Sequence, residues 1–291
     1  MLRIAIIGPG AIGGTIAAWL AQENGHQVTL CARTPLDMLR IETPGGVIEA
    51  RPRVLTDPAE ADPVDWIIVT TKAYDAAAAA RWIAPLSGAG TRLAVLQNGV
   101  EHRARFASVF AEAATVPAIV DIPAERTAPG RVLQRRDGTM IVPDDDAGRA
   151  FAALFAGTPV AVSTTEDFVT AAWRKLALNC AGAVNALLLK PAGIAQDGGI
   201  ASVMRSLVSE CVAVGRAEGA DLPPSLPDEV VAAYRAMAPD SVNSLHADRA
   251  AGRAMELDAR NGVIVRRGEA HGIATPINAA IVALLGAAGR E

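Results

Sequence analysis

The sequence carries no surplus of positive charge. Its 27 lysines and arginines face 31 aspartates and glutamates, a formal net charge of −4 with histidine neutral. A nucleic-acid binder draws on a basic surface, so none is expected here. Long apolar runs are also missing. The longest candidate, residues 279–285, falls far short of the ~20 residues that a membrane span needs, although mean hydropathy is positive at +0.26. Cysteine is scarce. Cys31, Cys180 and Cys211 form an odd set without ligand spacing, which argues against a disulfide framework and makes the cytoplasm the expected compartment. The four histidines lack metal spacing as well, so no metal site is expected. Met1-Leu2-Arg3 runs into a short apolar stretch and then glycines, without a small-residue cleavage site, so no signal peptide is expected.

Lysine is the rarest of the basic residues. Only Lys72, Lys175 and Lys190 occur, against 24 arginines. Such a bias writes arginine wherever any surface charge will do. A retained lysine then marks a place where an ammonium is needed, because arginine is always charged whereas lysine can release its proton. What the chain does have is apolar substance. Hydrophobic residues make up 51% and charged residues 20%, which excludes global disorder. At roughly 100–200 residues per domain, 291 residues predict about two domains.

The first half alternates β-rich runs with helical segments, the pattern of a parallel α/β sheet. Strands are expected at 2–7, 27–31, 66–70 and 93–96, with helices at 11–22 and 73–85. A Gly-Gly turn within 45–54 predicts a hairpin-like excursion. The short runs 118–121, 131–134 and 139–142 predict that the sheet ends in antiparallel strands. Beyond about residue 165 the β-branched runs nearly vanish. Helical spacing is read over 168–189 as one long stretch, then over 200–217, 227–238, 256–271 and 277–288. The expected plan is an α/β, Rossmann-type dinucleotide-binding domain over 1–165 and an all-helical domain over 166–291, with 163–167 as the hinge.

Gly8-Pro9-Gly10-Ala11-Ile12-Gly13 fits G-x-G-x-x-G, follows a predicted strand and opens a predicted helix. The first glycine makes the tight turn, the second admits a pyrophosphate to the backbone, and the third packs helix on strand. Free N–H groups at the helix start would then hold the phosphates. An NAD site expects an acid at the end of the second strand, on the ribose hydroxyl. Cys31-Ala32-Arg33 carries none and offers Arg33, a planar cation suited to a 2′-phosphate, so NADP is the expected cofactor. Thr70-Thr71-Lys72 and Gln97-Asn98-Gly99 end two further strands on the same rim. Lys72 would add charge near the adenosine end, and Asn98 would offer an amide to the nicotinamide half or the substrate.

In the helical half, Trp173-Arg174-Lys175-Leu176-Ala177-Leu178-Asn179 places Lys175 and Asn179 one turn apart on one helix face. Apolar neighbours make a lysine costly there unless it snorkels or works. Ser244 and Asp248 form a second such pair, and Glu256 follows between apolar residues. The glutamate alone is open to an ion pair, a cap or a ligand contact.

These motifs, in this order and along the whole chain, resemble the ketopantoate reductases (2-dehydropantoate 2-reductases). Ser244-Leu245-His246-Ala247-Asp248, Asn261-Gly262 after Glu256, and the closing Ala270-His271-Gly272-Ile273-Ala274-Thr275-Pro276 add to the likeness. The resemblance implies NADPH-dependent reduction of 2-dehydropantoate to (R)-pantoate in pantothenate synthesis. It implies Lys175 as the general acid, in contact with the substrate. It implies Asn98 on cofactor and substrate, and Asn179 and Ser244 on the substrate. Glu256 would organise the site through the cofactor, and the Ala124 backbone would touch it. The partner is then a small 2-oxo acid, and a homodimer is compatible with the sequence. One departure stands out. The family has a second substrate asparagine four residues after the first, where this chain has Ala183; the nearest amide is Asn185.

Three alternatives remain open at this point. One is reduction of another 2-oxo acid. A second is a β-hydroxyacid dehydrogenase of the same plan, against which Arg33, Gln97-Asn98-Gly99 and the Glu256 segment argue. The third is an NADP-binding sensor without turnover, against which Lys175 and Glu256 argue.

Overall fold

The computed structural model describes residues 1–23 and 25–289, which fall into two compact units, Met1–Phe168 and Val169–Glu291. In the first unit β1 (Arg3–Ile7), α1 (Ala11–Glu23), β2 (Gln27–Cys31), β3 (Leu39–Thr43), β4 (Gly46–Ala50) and β5 (Arg53–Leu55) come first. They are followed by β6 (Trp66–Val69), α2 (Ala76–Leu86), β7 (Arg92–Val95) and β8 (Thr115–Pro117). Six strands form a parallel sheet in the order β5-β2-β1-β6-β7-β8. β1 is apolar throughout because both of its faces are covered. Ile4 and Ile6 join a buried cluster with Ile16 and Leu20 of α1, while Ala5 and Ile7 join Trp82 and Ile83 of α2 on the opposite face. The chain direction across the sheet reverses between β1 and β6, which opens a crevice at their carboxyl ends.

The remaining strands of this unit correct the sequence reading. β9 (Ile119–Asp121), β10 (Ala124–Ala128), β11 (Arg131–Gln134) and β12 (Thr139–Pro143) do not extend the parallel sheet. β10 and β11 join the β3–β4 hairpin in a second sheet of four strands, with β11 parallel to β3. The hairpin predicted within 45–54 has its first arm earlier, at β3. Trp19 of α1 reaches into this second sheet and donates Nε1–H to the buried Gln134 Oε1 at 3.0 Å. β12 pairs antiparallel with β9 and parallel with β13 (Ala161–Thr165), after an unpredicted helix α3 (Asp146–Ala153). Residues 163–165, expected in a hinge, are therefore laddered strand.

The second unit is helical among its described residues. It runs α4 (Phe168–Ala181), α5 (Ala183–Leu188), α6 (Gly198–Ala217), α7 (Leu226–Ala236), α8 (Ser244–Ala250), α9 (Val263–Ala270) and α10 (Pro276–Ala288). α6 carries the buried stripe Ala201, Met204, Leu207, Val208 and Cys211, the spacing of a core-facing helix. The single stretch expected over 168–189 is two helices, broken at Gly182 and stopped at Leu189, whose φ of 51° is left-handed. Tertiary packing leaves no room for a side chain at Gly182. A Cβ at Gly182 would lie 2.3 Å from Tyr234 Oη and 2.8 Å from Asn243 Nδ2. The helix expected from 256 instead opens on a widened π-turn, Asp258–Gly262, which leads into α9. No helix among the described residues is long and apolar enough to cross a membrane.

Candidate active site

The loop between β1 and α1 has the geometry that its glycines predict. Gly8 sits at φ +93°, a conformation that side chains rarely adopt, and donates its N–H to Cys31 O at 3.1 Å. Thr70, just past β6, donates its hydroxyl to Gly8 O at 2.8 Å, so the loops after β1 and β6 are tied together. Gly13 is packed against that tie. A Cβ there would stand 2.3 Å from Thr70 Oγ1 and 2.4 Å from Gly8 O. Gly10 differs, since its Cβ would meet nothing nearer than Gly8 O at 4.0 Å. The first turn of α1 carries no acidic residue. A loop closed on the strand side, open at Gly10 and set at the positive end of a helix fits a pyrophosphate.

Three of the other predicted cofactor residues, Arg33, Lys72 and Asn98, follow strands of the same sheet. Arg33 is exposed two residues beyond β2, which lies beside β1 in the sheet. Lys72 is half-buried at the start of a 3-10 turn, Ala73–Asp75. Asn98 is half-buried just past β7. Ala124 opens β10 in the second sheet, where it packs on the same apolar cluster as Ile12 of the glycine loop.

Gln97, which the sequence offers only as a neighbour of Asn98, organises this rim. It is 4% exposed and donates Nε2–H to Thr71 Oγ1 at 2.9 Å and to Lys72 O at 3.3 Å. Its Oε1 accepts from Arg105 Nη1 at 2.9 Å. Its backbone carbonyl is bound by His102 Nε2 at 2.8 Å, and because a carbonyl only accepts, the ring proton is on Nε2. Burial first, and then Arg105, push the His102 pKa down to about 4, so the ring is neutral at physiological pH. Gln97 thus joins the turns after β6 and β7, and its signal in the sequence is only its place beside Asn98-Gly99.

In the helical unit Lys175 and Asn179 are both half-buried on α4, among the buried Trp173, Leu176, Ala177 and Cys180. α4 stops two residues after Asn179, which leaves its last carbonyls without helical partners. Side chains from three other segments take them. Tyr234 Oη donates to Leu178 O at 3.1 Å, Arg260 Nη2 to Asn179 O at 2.5 Å, and Asn261 Nδ2 to Cys180 O at 3.2 Å. Asn243 Nδ2 adds Gly182 O at 2.9 Å. Left buried and unmet, each such carbonyl would cost about 1–3 kcal/mol. Burial raises the Tyr234 pKa to about 12, so its hydroxyl keeps the proton that it donates.

Ser244 is exposed at the first position of α8, whose N-cap is Asn243, with Oδ1 accepting from His246 N at 3.0 Å. Glu256 is 6% exposed and immediately precedes the segment that leads into the π-turn. Ala183 is fully buried, so position 183 presents nothing to a ligand. Asn185 is buried too, and its Nδ2 donates to Lys190 O at 3.1 Å and Pro191 O at 3.0 Å. Its amide nitrogen closes the end of α5.

A parallel sheet that turns back beside a Gly-x-Gly-x-x-Gly loop, followed by a helical unit, defines a two-unit dinucleotide-binding protein. The family model described as ketopantoate reductase PanE/ApbA matches residues 4–146, and its C-terminal counterpart matches residues 167–289. The chain belongs to the ketopantoate reductase family. A 2-dehydropantoate 2-reductase of Caulobacter vibrioides is 68% identical over 288 residues, 99% of each chain. Among solved structures, a PanE/ApbA family ketopantoate reductase from Ralstonia eutropha superposes with a TM-score of 0.90 at 33% identity, covering 99% of this chain and 98% of that one. A dimeric ketopantoate reductase from Staphylococcus aureus gives a TM-score of 0.87 at 25% identity, covering 99% of each chain.

Proposed function

We propose that this protein is an oxidoreductase that reduces 2-dehydropantoate to (R)-pantoate with NADPH, with Lys175 as the general acid. The observation that carries the reading is the pairing of Lys175 and Asn179, one turn apart on α4 and both half-buried beside Leu176, Ala177 and Cys180. Membership of the family over both halves of the chain supports the substrate. Gly8–Gly13 would cradle the pyrophosphate, Arg33 and Lys72 would hold the adenosine phosphate end, and the Ala124 backbone would add a contact. Bound NADPH supplies the hydride. Asn98, Asn179 and Ser244 would hold the 2-oxo acid by its polar groups, and Glu256 would organise the site through the cofactor. The Lys175 ammonium attracts the carbonyl oxygen as negative charge develops on it, and then gives that oxygen a proton.

The test is NADPH oxidation with 2-dehydropantoate beside a panel of other 2-oxo and 3-oxo acids. 2-Dehydropantoate is expected to give the highest kcat/KM. A 3-oxo acid at the head of the panel would favour the β-hydroxyacid dehydrogenases, and no turnover of any member would favour a sensor. Light scattering on the same sample tests the homodimer that we also propose.

Cofactor choice is tested on Arg33. A charge-assisted hydrogen bond contributes about 1.5–3 kcal/mol, so Arg33→Ala is expected to weaken NADPH roughly ten- to a hundredfold. NADH, which lacks the 2′-phosphate, should change little. Equal losses for the two cofactors would remove Arg33 from phosphate recognition.

A further inference from the structure

Among the described residues, Arg260 is the one charged donor in the group of side chains that close the end of α4. It is 2% exposed and projects from the π-turn Asp258–Gly262. Residues 259–264 are all buried, a run too long for the stripe of a regular amphipathic helix. The widened turn is what allows Arg260 and Asn261 to face inward together, and such turns recur at functional sites. One guanidinium nitrogen, Nη2, holds Asn179 O, and the same nitrogen would stand 3.4 Å from a Cβ at Gly182. Burial lowers the Arg260 pKa, and the neighbouring Tyr234 and the Glu256 and Asp248 carboxylates only partly oppose that shift. A cation is also the charge that a helix C-terminus prefers. Arg260 Nε is buried with no hydrogen-bond partner. The one bond to Asn179 O leaves the buried Nε unmet, so this guanidinium carries a desolvation cost that a plain cap of the helix end does not require.

We infer that Arg260 is a positioning residue for the reaction, fixing the last turn of α4 so that Asn179 is held in register with Lys175 one turn before it. The inference rests on the functional reading given above. It departs from it in assigning a role to a residue that meets neither substrate nor cofactor. Arg260 acts through the Asn179 carbonyl, and a displacement of the Asn179 turn of even ~1 Å is enough to impair the reaction strongly.

The experiment compares Arg260→Lys, Tyr234→Phe and Lys175→Ala with the wild-type enzyme. Arg260→Lys keeps the charge but loses the planar fork that reaches Asn179 O. It is expected to lower kcat/KM for 2-dehydropantoate roughly 10- to 100-fold, mainly through KM, while the NADPH dissociation constant stays within about twofold. Tyr234→Phe removes only a hydroxyl from the neighbouring carbonyl and should raise KM about three- to tenfold. It decides the matter if Arg260→Lys does not accumulate as folded protein. A merely structural arginine would lower the Tm and leave KM per folded enzyme unchanged, and that result overturns the inference. NADPH binding lost in proportion to activity overturns it as well. If Lys175→Ala is inactive while Arg260→Lys or Tyr234→Phe keeps the wild-type KM, only the inference fails. If Lys175→Ala stays active, the functional reading fails first.

Discussion

Gly13→Ala is expected to destabilise the protein by about 3 kcal/mol or more, while Gly10→Ala is expected to leave stability unchanged and still weaken NADPH. The two glycines lie three residues apart in one loop, yet their surroundings differ. A methyl at position 13 would enter space held by Thr70 Oγ1 and Gly8 O, at 2.3 and 2.4 Å. Neither can retreat easily, since Thr70 Oγ1 is bound to Ile7 O as well as to Gly8 O. Overpacking in a close-fitted core typically costs about 1–3 kcal/mol, and here the opposing atom is backbone. A methyl at position 10 finds its nearest neighbour at 4.0 Å, so the cofactor-free protein accommodates it. It would stand where a pyrophosphate approaches the chain, and the expected loss of NADPH affinity is on the order of 100-fold. Thermal unfolding without cofactor and fluorescence titration with NADPH measure the two effects separately. Wild-type NADPH affinity in Gly10→Ala would mean that the loop does not hold the phosphates. An unchanged Tm in Gly13→Ala would mean that its contact with the strand is not tight.

The strands that frame this loop are legible in the sequence because burial on two faces forces continuous apolar runs. Ile4–Ile7 and Trp66–Val69 are such runs, each ended by a glycine or threonine that the site then uses. What the sequence hides is set at long range. β3 pairs with β11, some ninety residues further on, and no local pattern announces that partner. α3 begins in Asp144-Asp145-Asp146, which reads as a loop, although Asp145 Oδ1 accepts from Gly148 N at 2.7 Å as a helix cap. The break at Gly182 is hidden because apolar helical spacing continues straight through it. Only the fold reveals that Tyr234 and Asn243 fill the place a side chain would need.

The same division holds for the candidate site. Gly8–Gly13, Arg33, Lys72, Asn98, Lys175 and Asn179 are legible because each pairs a chemical capacity with a strand end or a helix face. Gln97, Tyr234 and Arg260 are not, because they act on backbone carbonyls of other segments, and a sequence does not show which carbonyls lack partners. One signal is available for Arg260. It stands four residues after Glu256, at the spacing of a helical ion pair, within a run of otherwise uncharged residues from 259 to 265.

Lys175→Ala is expected to lower kcat by about 10²–10⁴-fold, the range that general acid catalysis commonly supplies. Lysine is rare in this chain, and this one lies on a helix face bordered by the buried Leu176 and Ala177. Its partner in the motif, Asn179, is anchored through its carbonyl by Arg260. NADPH affinity should change little, because the phosphates are assigned to Gly8–Gly13 and Arg33. Lys175→Arg separates the two tasks of the ammonium. Arginine restores positive charge beside the developing alkoxide, but its pKa is too high to release a proton on the timescale of turnover. If proton delivery limits the reaction, Lys175→Arg remains within about tenfold of Lys175→Ala, and a pH–rate profile loses the limb that reports on the acid. If attraction alone matters, Lys175→Arg recovers most of the wild-type rate, and Lys175 is then an electrostatic anchor whose proton comes from water. Near-wild-type activity in Lys175→Ala would remove this residue from the chemistry and leave Asn179 as a binding group without an acid beside it.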